Sequence, residues 1–358
     1  MICNMAPPGT PLGPALDALV AACRGHYGAR IMAVTSPGLL SLDSSSLLRI
    51  KSADTMRVLP RVMPDRVTGQ EVRQRGGAML ECLSAREADV FILGDAAAFR
   101  LASQIALWSR ECQTACRWIA LPACPYNSVP FTAASIGFGS AVRWCSSLAA
   151  ALHDERRRDL HGAPVAILEI AGDTTGWLAA GSAALAGSPS EPVFCITPDM
   201  AVAADALCAT LGRAVTTHGC ALLVTSAVAH TAAGHCLAVP GVSVGIALHQ
   251  MLTAHGGLDA TVTSICPADM FDPAYVSARD MADSRAMARA AVRAARKAEP
   301  CALMLRRAAD AAGRHLIHTV SLLEATDIPR TLPRPYINSR GYKPLPLLRD
   351  HLMCFAQG

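Results

Sequence analysis

Charge is scarce in this chain of 358 residues: Asp, Glu, Lys and Arg make up only 17% of it, against 52% hydrophobic residues. That balance excludes the disordered, charge-rich class and fits a globular protein with a sizeable core. Long hydrophobic runs are lacking as well. No apolar stretch reaches the ~18–20 residues that a membrane-spanning helix needs, so no membrane partner is expected. The opening residues, MICNMAPPGTPLG, have neither the basic nor the apolar region of a secretory signal, and a cytoplasmic location is the expectation. A strong charge of one sign is also missing, the formal net charge being +4. The only tight basic cluster, Arg156 to Arg158, directly follows Asp154 and Glu155. It reads as a solvated turn, and no nucleic-acid partner is expected. No internal repeat of solenoid period runs through the chain.

Paired metal-ligand spacings are absent although the chain has 14 cysteines. Cys112 and Cys116 form the closest pair, at helical i,i+4 spacing, with no second pair near them in sequence. Cys23, Cys82, Cys145, Cys195, Cys208, Cys220, Cys236 and Cys266 stand singly in apolar segments. They are expected as free, buried thiols acting as small hydrophobes, because zinc sites show CxxC or HxxxH spacing.

The length suffices for two domains with proper cores. Short apolar runs bounded by Gly, Pro or polar residues predict buried parallel strands at 30–34, 88–93, 117–121, 163–170, 193–196 and 220–225. Segments 15–24, 97–111, 176–185 and 199–211 have helical periodicity, and 280–297 is the longest amphipathic helix. This alternation predicts an α/β protein with parallel sheets and right-handed crossovers. The Pro-rich segment Ile328 to Tyr336 predicts an exposed tail.

Ligands in such folds sit beyond the carboxyl ends of strands, which singles out four turns: near Gly9, at Gly94–Ala97, at Cys124–Pro130 and at Gly172–Gly176. Ala6-Pro-Pro-Gly9-Thr10 precedes a helix, so its amides can face an anion, or it is simply a proline-stiffened turn. Asp95 suits a helix N-cap, worth ~1 kcal/mol, and a magnesium role would require further oxygen ligands. His235 has no acidic or cysteine partner at ligand spacing and is expected to be structural.

Several segments also resemble one family in their order along the chain. LPACPYNSVPFTAASIGFGSAV, Leu121 to Val142, is similar to the phosphofructokinase signature Pro-Lys-Thr-Ile-Asp-Asn-Asp followed by Thr-Ile-Gly-Phe-Asp-Thr-Ala. Pro122, Asn127, Ile136, Gly137, Phe138 and Ala141 keep its frame. Ala123 stands in the place of a lysine, and Tyr126 and Ser128 in the places of two aspartates, the first being the family's catalytic base. Glu169-Ile-Ala-Gly-Asp173-Thr-Thr-Gly176-Trp177 resembles the family's Glu-Val-Met-Gly-Arg-x-x-Gly-Trp, with Asp173 replacing arginine and reversing a charge in an anion pocket. Ala227 replaces a glutamate and Asp259 another arginine.

The resemblance runs from about Asn4 to Phe355 and is nearest in look to diphosphate-dependent 6-phosphofructokinases. It implies two three-layer α/β/α domains with mainly parallel sheets. Residues 1–145 and about 255–300 would form a phosphoryl-donor domain, 146–254 with the C-terminal part a sugar-phosphate domain, and 325–358 a tail. Gly9, Thr10, Gly94 and Asn127 would contact phosphate, Gly172 and Asp173 the sugar phosphate, and Asp95 a magnesium ion. The ligand would be a phosphate-containing small molecule, and the partner another copy or an active paralogue. With its acids replaced, the chain is expected to be a catalytically impaired relative acting as a structural or regulatory subunit. The alternatives are a working diphosphate- or ATP-dependent enzyme and a repurposed small-molecule binder using the same cleft.

Overall fold

The computed structural model describes residues 1–6, 10, 12–27, 32–34, 47–49, 70, 73, 77–159, 161–267, 273–296, 300–307, 315–324 and 329–356. The chain divides into two compact units. Met1–Cys124, Ser128–Gly137 and Asp280–Pro329 form the first; Pro125–Asn127, Phe138–Arg279 and Arg330–Gly358 form the second.

In chain order the first unit begins with β1 (Ile2–Met5), α1 (Gly13–Tyr27), β2 (Met32–Val34), β3 (Leu47–Arg49), α2 (Gly77–Ser84), β4 (Asp89–Gly94), α3 (Ala96–Glu111) and β5 (Arg117–Pro122). The second unit follows with α4 (Phe138–Arg158), β6 (Val165–Ile170), α5 (Trp177–Ala186), β7 (Val193–Ile196), β8 (Ala201–Val202), α6 (Ala204–His218), β9 (Ala221–Ser226), β10 (His230–Thr231), α7 (Val244–Gly256) and β11 (Ala260–Ile265). The chain then returns to the first unit with α8 (Ala278–Ala294), β12 (Cys301–Arg307) and β13 (His315–Ser321). It ends in the second with β14 (Ile337–Asn338), β15 (Lys343–Pro344) and α9 (Pro346–Ala356).

The first sheet has the order β13-β12-β5-β4-β1-β2-β3, with parallel pairing inside and antiparallel pairs at β12–β13 and β2–β3. Strand alternation sorts its core into two layers. Ile2, Phe91, Leu93, Ile119, Leu121, Leu303 and Leu305 pack with α1 and α8. Cys3, Met5, Val90, Ile92, Trp118, Ala120 and Met304 pack with α2 and α3. Each large side chain so buried contributes roughly 1.5–3 kcal/mol, which is what fixes helices on both faces. The second sheet, β11-β6-β9-β7, is wholly parallel. Helices α4, α5 and α9 pack on one another, and α6 pairs with α7.

The fold is therefore α/β with mainly parallel sheets, as expected. Some local expectations need correction. Asp199 and Met200 are not helical: the Met200 amide closes a turn on the Thr197 carbonyl, and the chain extends as β8 before α6 begins. Arg156, Arg157 and Arg158 form the last turn of α4 rather than a turn outside it, where cations complement the helix dipole. Arg156 pairs with Glu155 at 2.7 Å and Arg157 with Glu191 at 3.5 Å. Segment 255–279 belongs with the second unit because β11 runs in register along β6, whereas α8 packs on the first sheet. Cys112 caps α3 and is exposed, so it shares no helix with buried Cys116, and Cys236 is exposed.

The tail is not loose. Leu332, Leu348, Leu352 and Phe355 are buried, and Tyr336 and His351 pack with Trp177. Ile328 and Gly9 lie outside the described residues. No helix among the described residues is long and apolar enough to cross a membrane.

Candidate active site

In the second unit the candidate residues form one hydrogen-bonded cluster at the carboxyl end of β6. The strand stops at Ile170, and Gly172 turns the chain at φ +83°, a conformation costly for any residue with a Cβ. A Cβ on Gly172 would also come within 2.4 Å of the Tyr126 hydroxyl. That hydroxyl donates to the Ala171 carbonyl at 3.1 Å. Beside it, Asn127 is fully buried with φ +54°, a left-handed conformation that asparagine tolerates better than most residues.

Asp173 is fully buried and is the hub of the cluster. Its Oδ1 accepts from the Thr175 amide at 3.1 Å, the Thr175 hydroxyl at 3.1 Å and the Gly176 amide at 2.9 Å, and its Oδ2 accepts from the Ala179 amide at 2.9 Å. The amides at the start of α5 are thus satisfied by the chain's own carboxylate, and an anionic ligand would have to displace it. Burial pushes the Asp173 carboxyl above the ordinary carboxylate range, and these hydrogen bonds oppose the shift. The expected charge reversal in an anion pocket is not what this geometry holds: the carboxylate faces its own helix.

The tail reinforces the same loop. The Leu332 amide donates to the Thr175 carbonyl at 3.1 Å, and Trp177 Nε1 donates to the Arg330 carbonyl at 3.1 Å. The Arg330 guanidinium lies 4.3 Å from the Trp177 ring centroid, a cation–π arrangement, and burial lowers its pKa to about 10. Thr175 also donates its hydroxyl to the Tyr126 carbonyl at 2.8 Å. Thr175 and Arg330 are the site residues that sequence reasoning missed. Asp-x-Thr-Gly before a helix signals a side-chain cap, which could have revealed the first.

In the first unit, Gly94 ends β4, and a Cβ there would fall 2.2 Å from that of Ala98, so the strand can turn directly into α3 only through glycine. Asp95 is the N-cap of α3, its Oδ1 accepting from the Ala98 amide at 3.0 Å. Ser128 is buried, its hydroxyl 3.3 Å from Cys124 Sγ. Ala123 pairs by a β-bridge with Ile136, and the Gly137 amide donates to Asp280 Oδ1 at 3.0 Å. Thr10 accepts from the Leu12 amide at 2.9 Å through its carbonyl.

Tyr126, Asn127, Gly172 and Asp173 are therefore brought together in one unit, while Thr10, Gly94, Asp95 and Ser128 belong to the other. His235 is exposed and engaged with Thr231 through its backbone. These donors do not fit a magnesium ion. Asp95 serves as a cap, and among the described residues no three His, Cys, Asp or Glu side chains gather where a metal could sit. Mg²⁺ prefers an octahedron of oxygen ligands.

Comparison with solved structures gives the same fold over the full chain. A pyrophosphate-dependent phosphofructokinase from Nitrosospira multiformis matches with a TM-score of 0.86 at 19% identity, covering 100% of this chain and 91% of that one. The pyrophosphate-dependent phosphofructokinase from Marinobacter aquaeolei matches with a TM-score of 0.81 at 19% identity and the same coverage. The phosphofructokinase of Saccharomyces cerevisiae matches with a TM-score of 0.64 at 15% identity, covering 91% of this chain and 44% of that one. No curated protein sequence matches significantly. The family model described as Phosphofructokinase matches residues 64–295, the greater part of the chain, and the chain belongs to the phosphofructokinase family.

Proposed function

We propose that this family member has lost phosphoryl transfer and persists as a structural or regulatory subunit, assembled with its own copies or with an active paralogue. The observation that carries the proposal is the Tyr126 phenol, at the position of the family's catalytic base, donating its proton to the Ala171 carbonyl. A tyrosine ordinarily titrates near ~10 and is a poor proton acceptor at neutral pH. Asp173 supports the same reading, since its carboxylate binds the α5 amides instead of leaving them for a phosphate. Ala123, Ala227 and Ser128 supply no charge where the signature has lysine, glutamate and aspartate. Each lost electrostatic contributor typically costs ~10²–10³ in rate, so together they leave almost nothing of the reaction.

In this reading the first unit is the former phosphoryl-donor part and the second the former sugar-phosphate part, in a cytoplasmic protein. A repurposed binder is disfavoured because Asp95, Tyr126 and Asp173, its candidate polar groups, are engaged in caps and turns. A working enzyme would be expected to use diphosphate, since the Nitrosospira and Marinobacter proteins are described as pyrophosphate-dependent. The residues here do not suit magnesium. A coupled aldolase assay with fructose 6-phosphate, diphosphate or ATP, and Mg²⁺ tests the proposal. Background rates are expected, and turnover of ~1–10³ per second would refute it.

A further inference from the structure

Within the second unit, the end of α5 and the loop leading to β7 enclose a small open cavity with β15 and the first turn of α9. Its volume is about 30 Å³, room for roughly two or three water-sized groups. Ala183, Val193, Pro344 and Leu345 make its walls largely apolar. Lys343 and Arg349 are the charged side chains that line it among the described residues. Helix α5 begins beside the Asp173 cluster and ends at this cavity, so roughly 15 Å of helix separates the two.

Backbone carbonyls hold both cations in place. Lys343 Nζ donates to the Pro189 carbonyl at 3.1 Å and to the Glu191 carbonyl at 2.9 Å. Arg349 Nη1 donates to the Ala184 carbonyl at 2.8 Å and to the Gly187 carbonyl at 2.6 Å. Closing a helix end is a common use of a cation, yet it occupies only part of an ammonium's three donors and a guanidinium's five. Among the described residues neither cation has a carboxylate within ion-pair distance. The Glu191 carboxylate accepts from the Ser188 amide and pairs with Arg157 at 3.5 Å, and Asp350 is exposed. The Lys343 ammonium also lies 5.2 Å from the Phe194 ring centroid. Burial lowers its pKa, as expected of a charge partly stripped of water with no anion to offset the loss.

We propose that this cavity binds a phosphate group, either free phosphate or the end of a phosphomonoester whose remainder lies in the open mouth. The spare donors of Lys343 and Arg349 hold its oxygens. An arginine fork beside a lysine point charge suits a doubly charged, tetrahedral oxyanion better than a flat, singly charged carboxylate. A nucleic acid would require a track of cations, and this cavity offers two. The site stands apart from the question of phosphoryl transfer, because neither cation belongs to the candidate active site.

Lysine footprinting of the full chain tests the site. The sequence has three lysines, Lys51, Lys297 and Lys343, and mass spectrometry reads the acetylation of each by an N-hydroxysuccinimide ester. At constant ionic strength, inorganic phosphate at about ten times its Kd should slow acetylation of Lys343 roughly tenfold and leave the other two unchanged. Protection by methyl phosphate as well would show that the site takes phosphomonoesters, and protection by phosphate alone would restrict it to the free ion. Either result upholds the proposal. Equal protection by formate, uniform protection of all three lysines, or none would each overturn it. In calorimetry, Lys343→Met should weaken phosphate binding at least about tenfold, while Arg213→Gln, at an exposed position on α6, should leave it unchanged. Binding indifferent to Lys343→Met would also overturn the proposal. If that variant does not fold, the footprint of the unmodified chain decides alone.

Discussion

Replacing Asp173 by alanine tests the idea that this residue builds the fold and not a ligand pocket. Asp173→Ala removes the acceptor of four hydrogen bonds and leaves the amides of Thr175, Gly176 and Ala179 without it. Each orphaned buried donor costs about 1 kcal/mol or somewhat more, which gives a loss of about 3 kcal/mol. For a unit of this size that lowers Tm by about 6–12 °C. Trp177 opens α5 and is fully buried, and Trp144 lies buried in α4, so tryptophan fluorescence includes the unfolding of this unit. Asp173→Asn keeps one acceptor oxygen but turns an amide N–H toward the Ala179 N–H, and should cost about half as much. The pH dependence adds a second constraint. Burial sets the folded-state pKa of Asp173 above the unfolded value of about 3.9. The folded chain therefore holds this proton more tightly, and the resulting stabilisation is complete below the unfolded pKa and lost as pH rises through the folded one. The substituted asparagine titrates in neither state, so the stability advantage of the unmodified chain over Asp173→Asn should shrink as pH rises across that window. A loss below about 1 kcal/mol for Asp173→Ala would refute the capping role, and an advantage that grows with pH would refute the dominance of burial over the hydrogen bonds in setting the Asp173 pKa.

Asp95→Ala should cost about 1 kcal/mol through loss of the α3 cap, and millimolar Mg²⁺ should shift the Tm of neither protein; a magnesium-dependent rise abolished by the substitution would restore Asp95 as a ligand. Gly172→Ala meets both a positive φ and the Tyr126 hydroxyl, and should destabilise by about 2–3 kcal/mol in urea unfolding. Combining it with Tyr126→Ala should recover the steric part only, a coupling that a double-mutant cycle reads. Tyr126→Asp should restore no aldolase-coupled turnover, because Ala123, Asp173 and Ala227 remain as they are; rates rising to about 1 per second would show that a single base suffices.

Much of the fold was legible because buried parallel strands announce themselves as short apolar runs. Val193–Ile196 matches its prediction residue for residue, and β4, β5, β6 and β9 differ from theirs only at the ends. The strands that escaped notice carry a weaker local signal. Strand β1 is four residues long, and β12 and β13 form an antiparallel pair whose outer member is only partly buried. The tail misled because proline-rich composition speaks for irregular backbone but not for exposure. Trp177 offered an aromatic face that Arg330, Tyr336 and His351 cover.

The sequence by itself determined the α/β class, the order of motifs that marks the family, and the absence of acids where the signature has them. These are properties of residue type and spacing, and they need no third dimension. Only the tertiary structure decided where the replacement side chains point. In the motif Asp173 stands in the place of an arginine and Tyr126 in that of a catalytic base; in the fold the Asp173 carboxylate accepts from an α5 amide and the Tyr126 hydroxyl donates to the Ala171 carbonyl. A side chain's direction depends on the backbone torsions of its turn and on the donors that the fold places within ~3 Å, and neither is encoded by its position in a motif.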